Sequence, residues 1–501
     1  MIKTYEKELK KYYYEYVNIE KIDKNFLNDK YLKLYFDIIE LFSQNPWTKQ
    51  EEVFNSFKIS NKKDLITLNK IIRNSELAQK IILKSGVGKK YWNTIIPFAK
   101  TAEKTLTNKY SFPQRIALFP GVSCMFYCGF CGRDQSQKYP ISILEDTKKT
   151  FDRLFSEIPK SSALSISGGL EPLTNPKIGE IISSAKKHNI NVPLITNGYS
   201  LTENFIKKTP GIWQLDSLRV SLYGIDKNTY QFITRVEKSF EIVKRNVIAF
   251  LKLRNKTNKN LKFGFNFIII PENVDQLNSI IYLIKEINDN VDNGKGVDFL
   301  TLRDDYQSVT GNEDAFDKNR KYKLDSKMND EIREKLINRL KEFESYKKDL
   351  CPSLYIDYGY SLESLSNNVF DKEMIKVTHK EMRNFGFTQM SVAIDLYGDV
   401  FLFREAGFLN RPGNKKFIIG RISQNISLET VIKDFLSKNK PVEYIYQDER
   451  FMDSFDHVIT SLVNQAEKDK KFGISFQDGP VLDRCITKDI KLGNNWYSDY
   501  N

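Results

Sequence analysis

The chain is poor in the residues that staple or metallate small folds, with five cysteines and three histidines among 501 residues. Cysteines this few, in no paired framework, exclude a disulfide-built scaffold and point to a reducing, cytoplasmic compartment. His188, His379 and His457 are scattered, as are Cys351 and Cys485, so no histidine-rich metal site is written here. Long apolar runs are missing too. The longest, Phe265 to Ile270, is broken by Asn266 and suits a buried strand rather than a membrane span. The opening Met-Ile-Lys-Thr-Tyr-Glu-Lys lacks the apolar core of a secretion signal. There is no internal repeat, no low-complexity tract and no dense basic block, although the formal net charge is +13. Lysines dispersed among acids along helical faces read as compositional bias, not as a nucleic-acid footprint, and also suit an anionic small substrate. The 41% hydrophobic content supplies a sizeable core, and the length fits two or three domains.

What is present has a clear order. Residues 1–112 read as helical: Tyr5, Leu9, Tyr12 and Tyr13 recur at helical spacing, as do Leu32, Leu34, Tyr35, Ile38 and Ile39. The segment Tyr91–Pro97 closes this region. From Arg115 strands alternate with helices. Strands are expected at Arg115–Phe119, Ala163–Ser167, Pro193–Asn197, Ser217–Leu222, Gly264–Ile270 and Val297–Leu302. Phe151, Leu154, Phe155 and Ile158 line one amphipathic helix, and Ile178, Ile181, Ile182 and Ala185 the next. Six strand–helix units imply an α/β fold with a parallel sheet curled into a partial (β/α)6 TIM-like barrel over residues 113–320. Residues 321–472 are expected to hold a helix over Glu331–Lys347, then a hairpin at Val392–Arg404 with a Tyr-Gly-Asp turn. Residues 473–501 read as a tail.

Chemistry concentrates at the C-terminal ends of barrel strands, and polar motifs fall there. Cys124, Cys128 and Cys131, spaced C-x3-C-x2-C, follow strand one. Ser167-Gly-Gly-Leu-Glu-Pro172 follows strand two, Thr196-Asn-Gly198 strand three and Ser221-Leu-Tyr-Gly224 strand four. Asn266 lies within strand five, and Leu302-Arg-Asp-Asp-Tyr306 ends strand six. Three thiolates leave two readings open. Zinc needs a fourth ligand from elsewhere in the chain. A four-iron cluster held by three cysteines leaves one iron open to chelate a small molecule.

The cysteine spacing, with Phe130 before the last cysteine, resembles the radical S-adenosylmethionine (SAM) superfamily. That likeness implies one [4Fe-4S] cluster on Cys124, Cys128 and Cys131, with SAM consumed as co-substrate. It places Phe130, Gly168, Gly169 and Glu171 against the methionine moiety, the motif here carrying Leu170 as an extra residue. It makes Asn197, Ser221 and Arg303 candidates for the ribose or carboxylate; a turn cap is the competing role for Asn197. The hairpin resembles the SPASM module that binds auxiliary clusters, with Phe403 where a cysteine would follow the turn.

Longer strings resemble the dTDP-4-amino-4,6-dideoxyglucose ammonia-lyase family. They include Pro120–Cys128, Ser167–Pro176, Ile356–Tyr360, Arg404–Phe408 and Phe451–Phe455, between about Tyr91 and Lys468. The resemblance implies hydrogen abstraction at C3 of a nucleotide-linked amino sugar, loss of ammonia from C4 and a 3-keto-4,6-dideoxy product. It implies a nucleotide-sugar substrate and an electron donor such as flavodoxin or ferredoxin, with no nucleic acid and no membrane as partners. A related dehydrogenase and a peptide-maturing enzyme are the alternatives. Arg404 and Glu405 admit two roles, a buried ion pair or a substrate contact. A general base is expected among Asp304, Asp305, Tyr306, Asp357, Tyr358 and Tyr360, and Arg133 either reaches phosphate or covers the cluster.

Overall fold

A computed structural model describes residues 2–44, 48–83, 96–107, 109–128, 131, 137–270, 272–291, 295–304, 326–358, 387–411, 413–438 and 454–479. These form two compact units, one from residues up to Ser111 and from Val458 onward, the other from residues between Phe112 and His457. This division differs from the consecutive one drawn from the sequence, because packing joins segments distant along the chain.

The first unit is helical. It contains α1 (Ile2–Ile19), α2 (Asp29–Gln44), α3 (Gln50–Ser56), α4 (Lys62–Asn74), α5 (Glu76–Leu83) and α6 (Ile96–Leu106). Leu9 and Tyr13 of α1 are fully buried, with Tyr35, Ile38 and Ile39 of α2 and Leu65, Leu68, Ile71 and Ile72 of α4. These are helical-period positions, so one face of each helix meets the others. Ile474 joins the same core at 1% exposure, although it falls in the segment read as a tail.

The second unit is a ten-stranded mixed sheet. Its parallel part begins with β1 (Arg115–Leu118), β2 (Ala163–Ile166), β3 (Pro193–Thr196), β4 (Ser217–Leu222), β5 (Lys262–Ile269) and β6 (Phe299–Asp304). All six lie where sequence periodicity expects them. The helices that follow are α7 (Leu144–Glu157), α8 (Ile178–Lys187), α9 (Glu203–Lys208), α10 (Lys227–Thr234), α11 (Ser239–Lys256), α12 (Ser279–Asp289) and α13 (Ser326–Leu350). Phe151, Leu154 and Phe155 of α7 and Ile178, Ile181 and Ile182 of α8 are buried, as their spacing implies.

Two additions extend the six-strand reading. β7 (Tyr355–Tyr358) pairs in parallel with β6. At the other edge β8 (Ser391–Ile394) pairs in parallel with β1, and β9 (Asp399–Phe401) and β10 (Ile418–Arg421) continue antiparallel, giving the order β10-β9-β8-β1-β2-β3-β4-β5-β6-β7. The expected hairpin is therefore an extension of the central sheet. α14 (Leu428–Lys438) packs beside β10, and α15 (Ser454–Phe472) completes the described helices.

Side chains alternate across this sheet. On β5 Phe263, Phe265 and Phe267 are buried on one face, while Gly264, Asn266 and Ile268 alternate with them. Register aligns Ser221 with Asn266, Asn266 with Thr301 and Thr301 with Asp357, making one polar row across four strands. Thr301 Oγ1 donates to Asp357 Oδ2 at 3.3 Å.

Candidate functional site

The loop after β1 carries the three cysteines, and the loop after β2 holds it in place. Glu171 N–H donates to Ser123 O at 2.9 Å. Thr174 Oγ1 accepts from Val122 N–H and Ser123 N–H, both at 3.1 Å. Asn175 Nδ2 donates to Pro120 O at 2.7 Å. A Cβ on Gly121 would stand 2.5 Å from the Leu170 carbonyl carbon, so the two loops touch backbone to backbone. The string Leu-Glu-Pro-Leu-Thr-Asn thus works as a clamp on the cysteine loop, a role that its sequence did not reveal for Thr174 or Asn175.

Gly168 and Gly169 both adopt left-handed backbone, with φ of +60° and +64°. A Cβ on Gly168 would lie 2.6 Å from the Phe119 ring, and one on Gly169 3.1 Å from Phe119 Cβ. The glycine pair is demanded by backbone geometry and by Phe119, whatever ligand also approaches it. Gly407 meets the other side of that ring, its hypothetical Cβ 2.6 Å from Cε2. Phe119 therefore sits between the β2 loop and the turn beyond β9.

These segments enclose a cavity of about 190 Å³. Cys124, Cys128 and Cys131 line it, as do Gly168, Gly169 and Glu171. So do Asn197, Ser221, Arg303, Arg404 and Glu405. The fold thus brings together eleven of the residues singled out from sequence. Phe130, Arg133, Asp305 and Tyr306 lie outside the described residues, as does Tyr360. A larger, open groove of about 970 Å³ lies along α7 and α8, where Lys148 pairs with Glu180 at 2.7 Å and Arg153 with Glu157 at 2.9 Å. It holds no comparable set of reactive side chains.

Several of the cavity residues have partners. The Glu171 carboxylate, 4% exposed, accepts from Leu173 N–H at 3.0 Å, from the Thr196 hydroxyl and from Asn197 N–H at 2.7 Å. These donors from its own chain fix the carboxylate at the cavity wall. Asn197 Oδ1 accepts from Tyr199 N–H at 3.0 Å, the turn-cap role, while Nδ2 reaches Met125 Sδ at 3.1 Å and Cys124 Sγ at 3.7 Å. Arg404 Nη2 donates to Ser167 Oγ at 2.9 Å. Glu405 pairs with buried Arg411 at 3.4 Å rather than with its neighbour Arg404. Burial, with the nearby Cys128 next in weight, pushes the Tyr223 phenol well above its ordinary value, so it stays protonated at the cavity wall.

Among the described residues, no three His, Cys, Asp or Glu side chains gather closely enough to hold one metal ion. The three thiols stand around a cavity instead of about a point. A donor set of thiolates alone in that arrangement suits a cluster better than a single ion. No helix among the described residues is long and apolar enough to cross a membrane.

Residues 118–284 match the radical SAM superfamily model. The chain is 35% identical over 396 residues to the dTDP-4-amino-4,6-dideoxy-D-glucose ammonia-lyase of Streptomyces venezuelae, covering 78% of each chain. Among solved structures it is similar to Streptococcus suis SuiB bound to S-adenosylmethionine, at 15% identity and a TM-score of 0.44, covering 83% of this chain and 84% of that one. It is also similar to anSMEcpe with bound AdoMet and a peptide, at 14% identity and a TM-score of 0.44, covering 72% and 99%.

Proposed function

Since the chain belongs to the radical SAM superfamily and, within it, to the family of dTDP-4-amino-4,6-dideoxy-D-glucose ammonia-lyase, we propose that it deaminates a nucleotide-linked 4-amino-4,6-dideoxyglucose at C4. Membership makes it a radical SAM carbon–nitrogen lyase. The observation that carries the finer reading is the single cavity shared by the three cysteines, the glycine pair and two arginines.

Cys124, Cys128 and Cys131 would hold one four-iron cluster. When bound, that cluster would supply the one-electron reduction of SAM from which the hydrogen-abstracting radical for C3 of the sugar would arise. The remaining work belongs to the chain. Gly168, Gly169 and Glu171 receive the methionine end, with Asn197 closing the turn beside Cys124. Ser221 and Arg303 line the far wall, where ribose and carboxylate need partners. Arg404, fixed by Ser167, presents a cation to an anionic substrate. The general base that takes the C3 hydroxyl proton is drawn from Asp304, Asp305, Tyr306, Asp357, Tyr358 and Tyr360. Ammonia leaves C4 with its bonding electrons, and one further electron and proton give the 3-keto-4,6-dideoxy sugar. A flavodoxin or ferredoxin supplies both electrons, in the reducing cytoplasm that an oxygen-sensitive cluster requires.

One cluster suffices. Cys351 is buried, and its Sγ stands 3.8 Å from Ile281 O as a packing group. Phe403 fills the position of the auxiliary cysteine and packs on Phe417, with ring centroids 5.2 Å apart. This supports reading the β8–β9 hairpin as a SPASM-like module without its cluster.

The test is anaerobic. Reconstituted protein with reductant, SAM and the amino sugar nucleotide is expected to bind about four irons per chain and to form 5′-deoxyadenosine and ammonia together. Deoxyadenosine without ammonia would favour the dehydrogenase. Cys128→Ala should lose cluster and products alike.

A further inference from the structure

Asn266 interrupts an apolar run in the middle of β5, and the roles above leave it unassigned. It is 4% exposed, and its Oδ1 is buried with no hydrogen-bond partner among the described residues. It lines the same cavity as the cysteines and Ser221. An orphaned amide oxygen is costly to bury and rare in folded proteins. An aliphatic side chain would satisfy this strand, so the amide is retained against the local preference.

The surroundings define what it faces. Two residues earlier on the same face, Gly264 leaves room for the Phe299 ring, which would lie 2.3 Å from a Cβ there. The Arg219 guanidinium stands 5.4 Å from that ring. Phe299 and Arg219 thus fill the layer next to Asn266 on the N-terminal side of the sheet. Ser221 sits in register on β4.

We propose that Asn266, together with Ser221, binds adjacent hydroxyls of a polyhydroxylated ring. Neighbouring strands lie about 4.8 Å apart, so an amide and a hydroxyl in register converge on two vicinal oxygens. The amide offers both an acceptor and donors, and the serine hydroxyl does both, which matches a diol. Two rings have this chemistry, the ribose of SAM and the hexose of the sugar nucleotide. The inference rests on the proposed function, and the test separates the two rings.

Asn266→Leu removes the polar atoms at nearly constant shape; Asn266→Ala gives the same readouts if the leucine variant fails to fold. Cluster-free protein is melted first. The leucine variant is expected to melt no lower than the wild type, because it removes an unpaired group. Reconstituted protein is then dialysed anaerobically against SAM, and separately against the sugar nucleotide. A loss of about tenfold in affinity for SAM assigns the ribose. The same loss for the sugar nucleotide alone assigns the hexose. Unchanged affinity for both ligands in a folded Asn266 variant would overturn the proposal. Wild-type protein that binds neither ligand would refute the functional reading as well, and that control tells the two failures apart.

Discussion

Glu171 is surrounded by three donors from its own chain, and this sets its value to the fold. Glu171→Gln would turn an amide NH2 toward donors that need an acceptor. We expect a loss of about 1–3 kcal/mol in urea unfolding, larger than a surface substitution gives. Gly168 tests a different force. Gly168→Ala meets both a positive φ and the Phe119 ring. Adding Phe119→Leu should restore part of the lost stability by removing the steric conflict. The rest should stay lost, because the backbone strain of about 1–3 kcal/mol remains. Equal stability of single and double variants would contradict this account. The sequence shows that a glycine pair is present; that the aromatic ring of Phe119, just after β1, requires it is visible only in three dimensions.

At the scale of elements, the β8–β9 turn carries a buried carboxyl. Asp395 is 3% exposed and accepts from the Tyr139 hydroxyl at 2.9 Å and from Tyr397 and Asp399 N–H, each at 2.9 Å. Burial first, and the Asp399 charge second, raise its pKa to about 7. Tyr139 closes the arm that returns from the cysteine loop, its N–H donating to Val122 O at 2.9 Å. The sign follows from linkage. Between the unfolded carboxyl pKa of about 4 and about 7, the folded state keeps a proton that the unfolded state has lost. This group therefore costs stability as pH rises through that window. Asp395→Asn should flatten the fall in melting temperature between pH 5 and pH 8, as read by scanning calorimetry at each pH. An unchanged slope would mean another group sets it. The Thr174 clamp allows a second test. Thr174→Val leaves two backbone N–H groups without their acceptor, so iron retained after reconstitution should fall while the sheet's circular dichroism is kept.

For the whole molecule, the net charge of +13 is spread out, not focused. Many lysines pair along their own helices, among them Lys11 with Glu15, Lys285 with Asp289 and Lys433 with Glu429. Exposed pairs of this kind add little stability but leave no dense basic stripe. A tRNA shift assay at physiological salt should show no saturable complex; a tight one would contradict this. The six strands, the helical first unit and the cysteine loop were legible in the sequence, because burial at periods of two and 3.6 and fixed cysteine spacing are local signals. Local pattern also singled out residues that line this cavity, because those of the first six strands lie at or just after the C-terminal ends of parallel strands in one sheet. The pairing of Glu405 with Arg411, the seating of Phe119 among three glycines, the joining of β8 to β1 and the orphaned amide of Asn266 were not legible. Each depends on which distant segment arrives opposite a given side chain, and that is decided by strand register and packing, not by neighbours in the chain.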